Sequence, residues 1–137
     1  MLNIRSGRAL VLGIVICAAC ASPLIAQEEF PFGRVLLLDA APMKGAKRLP
    51  ALEIETDGSA RIELWCNTMQ GRVVVQGDNV TISAGEKTDR TCAPERMQAD
   101  DELVEALTQV TRWRWNGESL IILTGGTKDL RFQPHTN

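Results

Sequence analysis

The chain has 137 residues, and its 15 Lys and Arg against 17 Asp and Glu give a formal net charge of −2. An acidic balance does not favour a nucleic-acid-binding protein, which needs a concentrated positive surface. Four cysteines and one histidine leave few side chains for a metal centre or for nucleophilic catalysis.

The first 26 residues have the layout of a secretory signal peptide. Arg5 and Arg8 precede an uncharged run over residues 9–21, and small residues follow it. The sequence therefore predicts an exported protein, located in the periplasm or outside the cell.

Cleavage is expected near Ala26, where the uncharged stretch ends, with Ala21 as the alternative position. Acylation of Cys20 is a third possibility, and only that modification would hold the protein at a membrane. About 111 residues would remain, enough for one domain with a single core. Within them we expect an entry segment and loop over residues 27–50, which contain a short apolar run at residues 34–38, and one folded domain over residues 51–134.

Two cysteines, Cys66 and Cys92, belong to the mature chain. An even pair in an oxidising compartment predicts a disulfide bond. Closing a loop of about 27 residues would stabilise the fold by roughly 3–4 kcal/mol. A thiol enzyme would need a nearby base, and His135 lies at the end of the chain, where bases are seldom held in place. The sequence therefore predicts no catalytic residue, no metal ligand and no cofactor.

Alternating apolar and polar residues predict two hairpins in the first half of the domain. Leu52 and Ile54 are followed by a Thr-Asp-Gly turn, and Ile62 and Leu64 resume on one face. Residues 72–76 and 80–83 form the second hairpin around a Gly-Asp-Asn turn.

The period then changes to that of a helix. Leu103, Leu107 and Val110 are spaced i, i+4 and i+7, which predicts one helix within residues 95–110. Pro94 suits its first turn. We expect its apolar stripe to pack on a sheet that contains Ile62, Leu64, Val73, Val75 and Trp115.

The last part of the chain returns to strands. Trp113 and Trp115 alternate with arginines, which predicts tryptophans in the core and arginines in solvent. Asn116-Gly117 is typical of a two-residue hairpin turn. Strands, one helix and more strands predict an α+β fold, either a mainly antiparallel β-sheet or an open barrel with one packed helix.

Two groups of charged residues have a functional and a solvated interpretation. The basic residues Lys44, Lys47 and Arg48 could meet an anionic partner, but a solvated loop is the better interpretation. The second group consists of acids on strands and early in the helix: Glu53, Glu55, Asp100 and Asp101. They could perform acid–base chemistry, but side chains in such places are usually solvated or matched to the helix dipole.

The order and spacing of several short motifs resemble the META domain of HslJ-type heat-shock proteins. They include Cys66-Asn67, Gly71, and Thr88 followed by Cys92. The family usually has glycine before its Cys-Asn pair, where this chain has Leu64-Trp65. It also has a basic residue directly after the threonine, where this chain has Asp89 and then Arg90.

The resemblance implies a small antiparallel domain of export-linked or stress-linked proteins, with Asn67, Thr88 and Arg90 as the family-motif residues. It implies no established enzymatic activity. We therefore expect a non-catalytic protein of envelope or stress homeostasis that binds an unknown envelope protein or an apolar small molecule. A carrier of a lipid or other apolar ligand and a carboxylate-based hydrolase are the alternatives.

Overall fold

The structure, a computed structural model, describes residues 28–135. The predicted signal peptide, its cleavage positions and Cys20 lie outside the described residues. Within this range the chain forms eight strands and one helix: β1 Val35–Leu38, β2 Ala51–Ile54, β3 Ser59–Glu63, β4 Thr68–Gln76, β5 Asn79–Lys87, α1 Pro94–Gln109, β6 Arg112–Asn116, β7 Leu120–Thr124 and β8 Leu130–His135.

The strands form one closed antiparallel barrel in which each strand neighbours the next along the chain. The barrel closes where β1 pairs with β8, with Leu38 opposite Phe132. On its other side β1 pairs with β2, with Leu36 opposite Leu52. The predicted α+β class is confirmed, and the sheet is the closed form of the barrel rather than an open one.

Alternation along the strands fills the barrel with apolar side chains. Leu52 and Ile54 are buried while Glu53 between them is exposed, and Ile62 is fully buried beside exposed Arg61. Trp113 is buried, and its indole N–H donates to the Gly77 carbonyl at 2.8 Å. The period-2 pattern thus selects the core face of each strand.

Two of the three predicted turns form as expected, and the third is longer. In the β2–β3 turn Gly58 has φ +83°, and a Cβ there would lie 2.6 Å from the Val73 carbonyl oxygen. This position requires glycine because a side chain would be strained and crowded. In the β6–β7 hairpin Asn116 pairs with Leu120, so three residues form the loop. The predicted two-residue turn was wrong.

Helix α1 begins at Pro94 and ends at Gln109, in agreement with the predicted segment. Leu103 and Leu107 are buried in the barrel core, together with Ala106, and Val110 is buried directly after the helix. Of the predicted sheet partners, Ile62, Leu64 and Val73 belong to this core, and Val75 and Trp115 pack against it half-buried. α1 is not long and apolar enough to cross a membrane.

The strands β5 and β6, which the helix connects, share a short seam. Asn79 opposite Arg112 is their one register pair, whereas β5 pairs with β4 along nearly its whole length. Two more backbone bonds support the seam, from Val80 N–H to the Thr111 carbonyl and from Trp113 N–H to the Asp78 carbonyl. Because α1 packs against β5, the helix contributes to closure of the barrel here.

Candidate functional site

The centre of the site is the turn between β3 and β4, which contains Cys66 and Asn67. Cys66 is bonded to Cys92, with 6.1 Å between the two Cα atoms and 26 residues between them in sequence. Cys92 precedes α1 by two residues. The predicted disulfide is present, and it links the turn to the start of the helix.

A buried carboxyl group holds the same turn from the helix side. Asp100 is fully buried on α1. Its Oδ1 accepts the Cys66 N–H at 2.9 Å, and its Oδ2 accepts the Asn67 N–H at 2.8 Å and the Asn67 amide Nδ2 at 3.2 Å. The interpretation of Asp100 as a solvated or dipole-matched acid was wrong, because both of its oxygens are used by N–H donors.

The family-motif residues Asn67, Thr88 and Arg90 contact one another. Asn67 is buried, and its Oδ1 accepts the Thr88 hydroxyl and the Arg90 backbone N–H, each at 2.8 Å. Thr88 Oγ1 in turn accepts the Thr68 N–H at 3.0 Å. The Asn67 side chain therefore ties the β3–β4 turn to the loop between β5 and α1. In this arrangement the backbone of Arg90 is fixed while its side chain is exposed.

Gly71 also belongs to the motif, and its position leaves no room for a side chain. A Cβ there would lie 2.8 Å from the Ser83 carbonyl oxygen. The register between β4 and β5 shifts between Met69 and Gly71, so the two strands approach closely beside an irregular pair. Glycine is needed for this close backbone approach.

A cleft of about 420 Å³ opens beside the disulfide. The β1–β2 loop, the β3–β4 turn, the β5–α1 loop and the first turn of α1 form its walls. Four of its lining side chains are basic: Lys47, Arg48, Arg90 and Arg96. We call this the basic cleft.

Glu63 is the acid that lines the basic cleft. Its Oε1 accepts from the Arg61 guanidinium, with an Nη2 distance of 2.6 Å, and its Oε2 accepts the Thr68 hydroxyl at 3.0 Å. Partial burial would raise the pKa of Glu63, but these hydrogen bonds and the charges of Arg61 and Arg48 outweigh it and lower the pKa below its ordinary value of 4.5. The carboxylate is thus held mainly by groups other than the cleft cations.

The remaining acids considered from the sequence do not gather into one site. Glu53 and Glu55 are exposed around β2, Asp101 pairs with Lys87 at 2.6 Å, and Asp100 is occupied as described. His135 is exposed at the end of β8, opposite Val35. In the range 28–135 no group of three or more His, Cys, Asp and Glu side chains is arranged to hold a metal ion.

The burial of Asp100 and the complete set of cleft cations were not predicted from the sequence. Asp100 lies three residues before Leu103 and seven before Leu107, so it continues the apolar stripe by one turn. Extending the stripe would have predicted its burial. The sequence places Lys47 and Arg48 in a basic loop, but Arg90 and Arg96 join them only through the fold. Lys44 does not line the cleft.

Three solved structures are similar to this fold. A protein from Burkholderia xenovorans, determined by NMR, aligns with a TM-score of 0.63 at 17% identity, over 77% of this chain and 84% of that one. A second NMR structure aligns with a TM-score of 0.56 at 16% identity, over 74% and 88%.

A DUF4847 family protein from Bacteroides vulgatus aligns with a TM-score of 0.51 at 17% identity. The alignment covers 61% of this chain and 57% of that protein, so this chain spans little more than half of its length. At these identities the likeness concerns the fold alone. No curated protein matches the chain. The profile of the META domain matches residues 25–137, and the chain therefore belongs to the META domain family.

Proposed function

We propose that this is a non-catalytic, exported protein of the HslJ type that serves envelope or stress homeostasis by binding. The observation that carries the proposal is that the side chains of the motif and its neighbours bond to other groups within the protein. Cys66 is in a disulfide, both oxygens of Asp100 accept N–H groups, and the Asn67 side chain bonds to Asp100, to Thr88 and to the backbone of the β5–α1 loop. These groups position the walls of a cleft rather than present a reactive atom to a substrate.

Export is supported by two independent features. Residues 1–26 have the charge and hydropathy pattern of a secretory signal. The Cys66–Cys92 bond is of the kind that persists in oxidising compartments. A periplasmic or extracellular location accounts for both.

The alternatives of an apolar-ligand carrier and a hydrolase receive less support. A carrier would need space between helix and sheet, but Leu103, Ala106 and Leu107 pack there into the core. The basic cleft has charged walls, unlike the mostly apolar lining of typical small-molecule pockets. A hydrolase would need two cooperating carboxyl groups, and the acids around β2 and on α1 have separate environments.

The test is rescue of envelope-stress tolerance in a strain that lacks the gene. The full-length protein should rescue, whereas a version without residues 2–26 should not, because it stays in the cytoplasm. Glu53→Gln, Glu55→Gln and Asp101→Asn should each rescue fully. Rescue by the non-exported version would refute the export part of the proposal. Loss of rescue in one of the amide variants, with normal stability and export, would refute the non-catalytic part.

A further inference from the structure

We propose that the basic cleft binds a phosphate group, carried by a small phosphorylated molecule or by a lipid headgroup. The inference deepens the proposed binding function and rests on it. It names the chemistry of the ligand and the residues that would hold it.

The first argument is the concentration of charge. Lys47, Arg48, Arg90 and Arg96 face one acid, Glu63, around the cleft, so the lining carries a net charge of +3. The whole chain carries −2. Two regions far apart in sequence, residues 47–48 and residues 90–96, bring these cations together on an otherwise acidic protein. A cleft lined by one sign of charge focuses the field and attracts the opposite ion.

The second argument is that few carboxylates of the protein neutralise the charges of these cations. Among the described residues, no carboxylate lies within 4.0 Å of Lys47, Arg90 or Arg96, whereas Arg48 lies 4.0 Å from Glu63. That carboxylate already receives two hydrogen bonds from Arg61 and one from Thr68. The donors of the cleft therefore remain available to an anion.

The third argument is the chemistry of the cations, three of which are arginines: Arg48, Arg90 and Arg96. The planar guanidinium suits the paired oxygens of phosphate.

Charge and size favour phosphate over a simple carboxylate. A phosphate monoester carries about −1.5 to −2 charges near pH 7 and offers three strong acceptor oxygens, which matches several cations better than one negative charge does. The cleft volume of about 420 Å³ falls in the range of small-molecule sites, about 300–1,000 Å³. Leu64 and half-buried Trp65 also line it, so an organic part of the ligand would find apolar surface beside the cations.

The experiment titrates the mature, oxidised protein with phenyl phosphate and, separately, with vesicles that contain phosphatidic acid, a lipid whose headgroup is also a phosphate monoester, at low salt. Calorimetry measures binding, and tryptophan fluorescence reports contact because Trp65 lines the cleft. Arg90→Gln should weaken binding by about tenfold, the usual effect of losing one charge-assisted hydrogen bond, and Arg96→Gln by a similar factor. Arg114→Gln removes the same charge from exposed β6, outside the cleft, and should change affinity less than about twofold. Added salt should weaken binding.

The two ligands separate the two sources of phosphate. Binding of phenyl phosphate that Arg90→Gln weakens would support a soluble phosphorylated ligand. Binding of vesicles alone, with the same sensitivity, would support a lipid headgroup. Binding of neither, or equal affinity in Arg90→Gln and Arg114→Gln, would overturn the proposal, as would competition by acetate as effective as that by phosphate. Should Arg96→Gln fail to fold, the exposed Lys47→Gln takes its place and should weaken binding as Arg90→Gln does.

The stress-rescue assay keeps the two proposals distinguishable. If Arg90→Gln loses phosphate binding and still rescues the strain fully, the cleft is not the site of the biological function, but the exported binding protein stands. If phosphate binding is intact and the non-exported version rescues, the proposed function fails while the anion site remains.

Discussion

Replacing Asp100 with asparagine tests the central hydrogen-bond network. The two carboxyl oxygens accept three N–H groups from Cys66 and Asn67. An asparagine has one oxygen and one NH₂, so in either orientation at least one N–H of the turn loses its acceptor and faces another donor. The favoured orientation keeps the oxygen toward Asn67, whose environment is the more buried.

The magnitude follows from these bonds. One N–H left without an acceptor costs about 1–3 kcal/mol, and two charge-assisted bonds become neutral ones at about 1 kcal/mol each. We expect Asp100→Asn to lower the free energy of unfolding by about 3–5 kcal/mol. Asp101→Asn is the matched control, since this side chain is 73% exposed and pairs with Lys87 on the surface. Its cost should stay within about 1 kcal/mol.

The assay is guanidinium denaturation of the oxidised protein, followed by tryptophan fluorescence. The difference is calculated from the transition midpoint and slope. If Asp100→Asn unfolds within about 1 kcal/mol of the wild type, with an unchanged slope, the network contributes little. The β3–β4 turn would then be held by the disulfide and its own backbone, and the reasoning from buried hydrogen bonds would be refuted.

Three further predictions address the core, the disulfide and pH. Leu107→Ala should cost about 2–5 kcal/mol, because Leu107 is fully buried, whereas exposed Glu105→Ala should cost less than about 0.5 kcal/mol; equal denaturation midpoints would contradict this. Replacing Cys66 and Cys92 together with alanine should cost about 3–4 kcal/mol, and intact-mass measurement of the non-reduced wild type should find no free thiol. The pKa of Glu63 is lowered in the folded state, so the unfolded state binds the proton more tightly. The contribution of Glu63 to stability is therefore present above about pH 4.5 and is lost as the pH falls further. In Glu63→Gln the denaturation midpoint should depend less on pH over this acidic range, and the same pH dependence as in the wild type would refute the assignment.

The local parts of the fold could be predicted from the sequence because each has a short-range cause. The spacing of Leu103 and Leu107 predicts the helix, and the alternation of Trp113 with its arginine neighbours predicts which face is buried. The Cys66–Cys92 bond follows from the count of mature cysteines. The length of the β6–β7 loop did not follow from Asn116-Gly117, since the pairing of Asn116 with Leu120 depends on the register of the whole hairpin.

The site could be predicted only in part because it is assembled from distant segments. The motif identified Asn67, Thr88 and Arg90 as family-motif residues. It did not predict that the side-chain oxygen of Asn67 accepts hydrogen bonds from the other two. The basic cleft combines Lys47 with Arg96, which lie in different elements on opposite sides of β2–β5 in sequence. No local sequence pattern predicts that Lys47 and Arg96 lie close together, because closure of the barrel brings them there.

Because β5 and β6 share only a short seam, α1 protects the unpaired part of β5 from aggregation. β5 has nine residues and pairs with β6 at Asn79 alone, so much of its outer side would become a free strand edge if α1 moved away. Free edges are templates for pairing with other chains. The disulfide holds the segment directly before α1 to the β3–β4 turn, and Asp100 holds the helix itself. Reduction of the Cys66–Cys92 bond would remove one of these two anchors, so the edge of β5 should open more often, and reduced protein should form intermolecular β-sheet at temperatures where the oxidised protein does not.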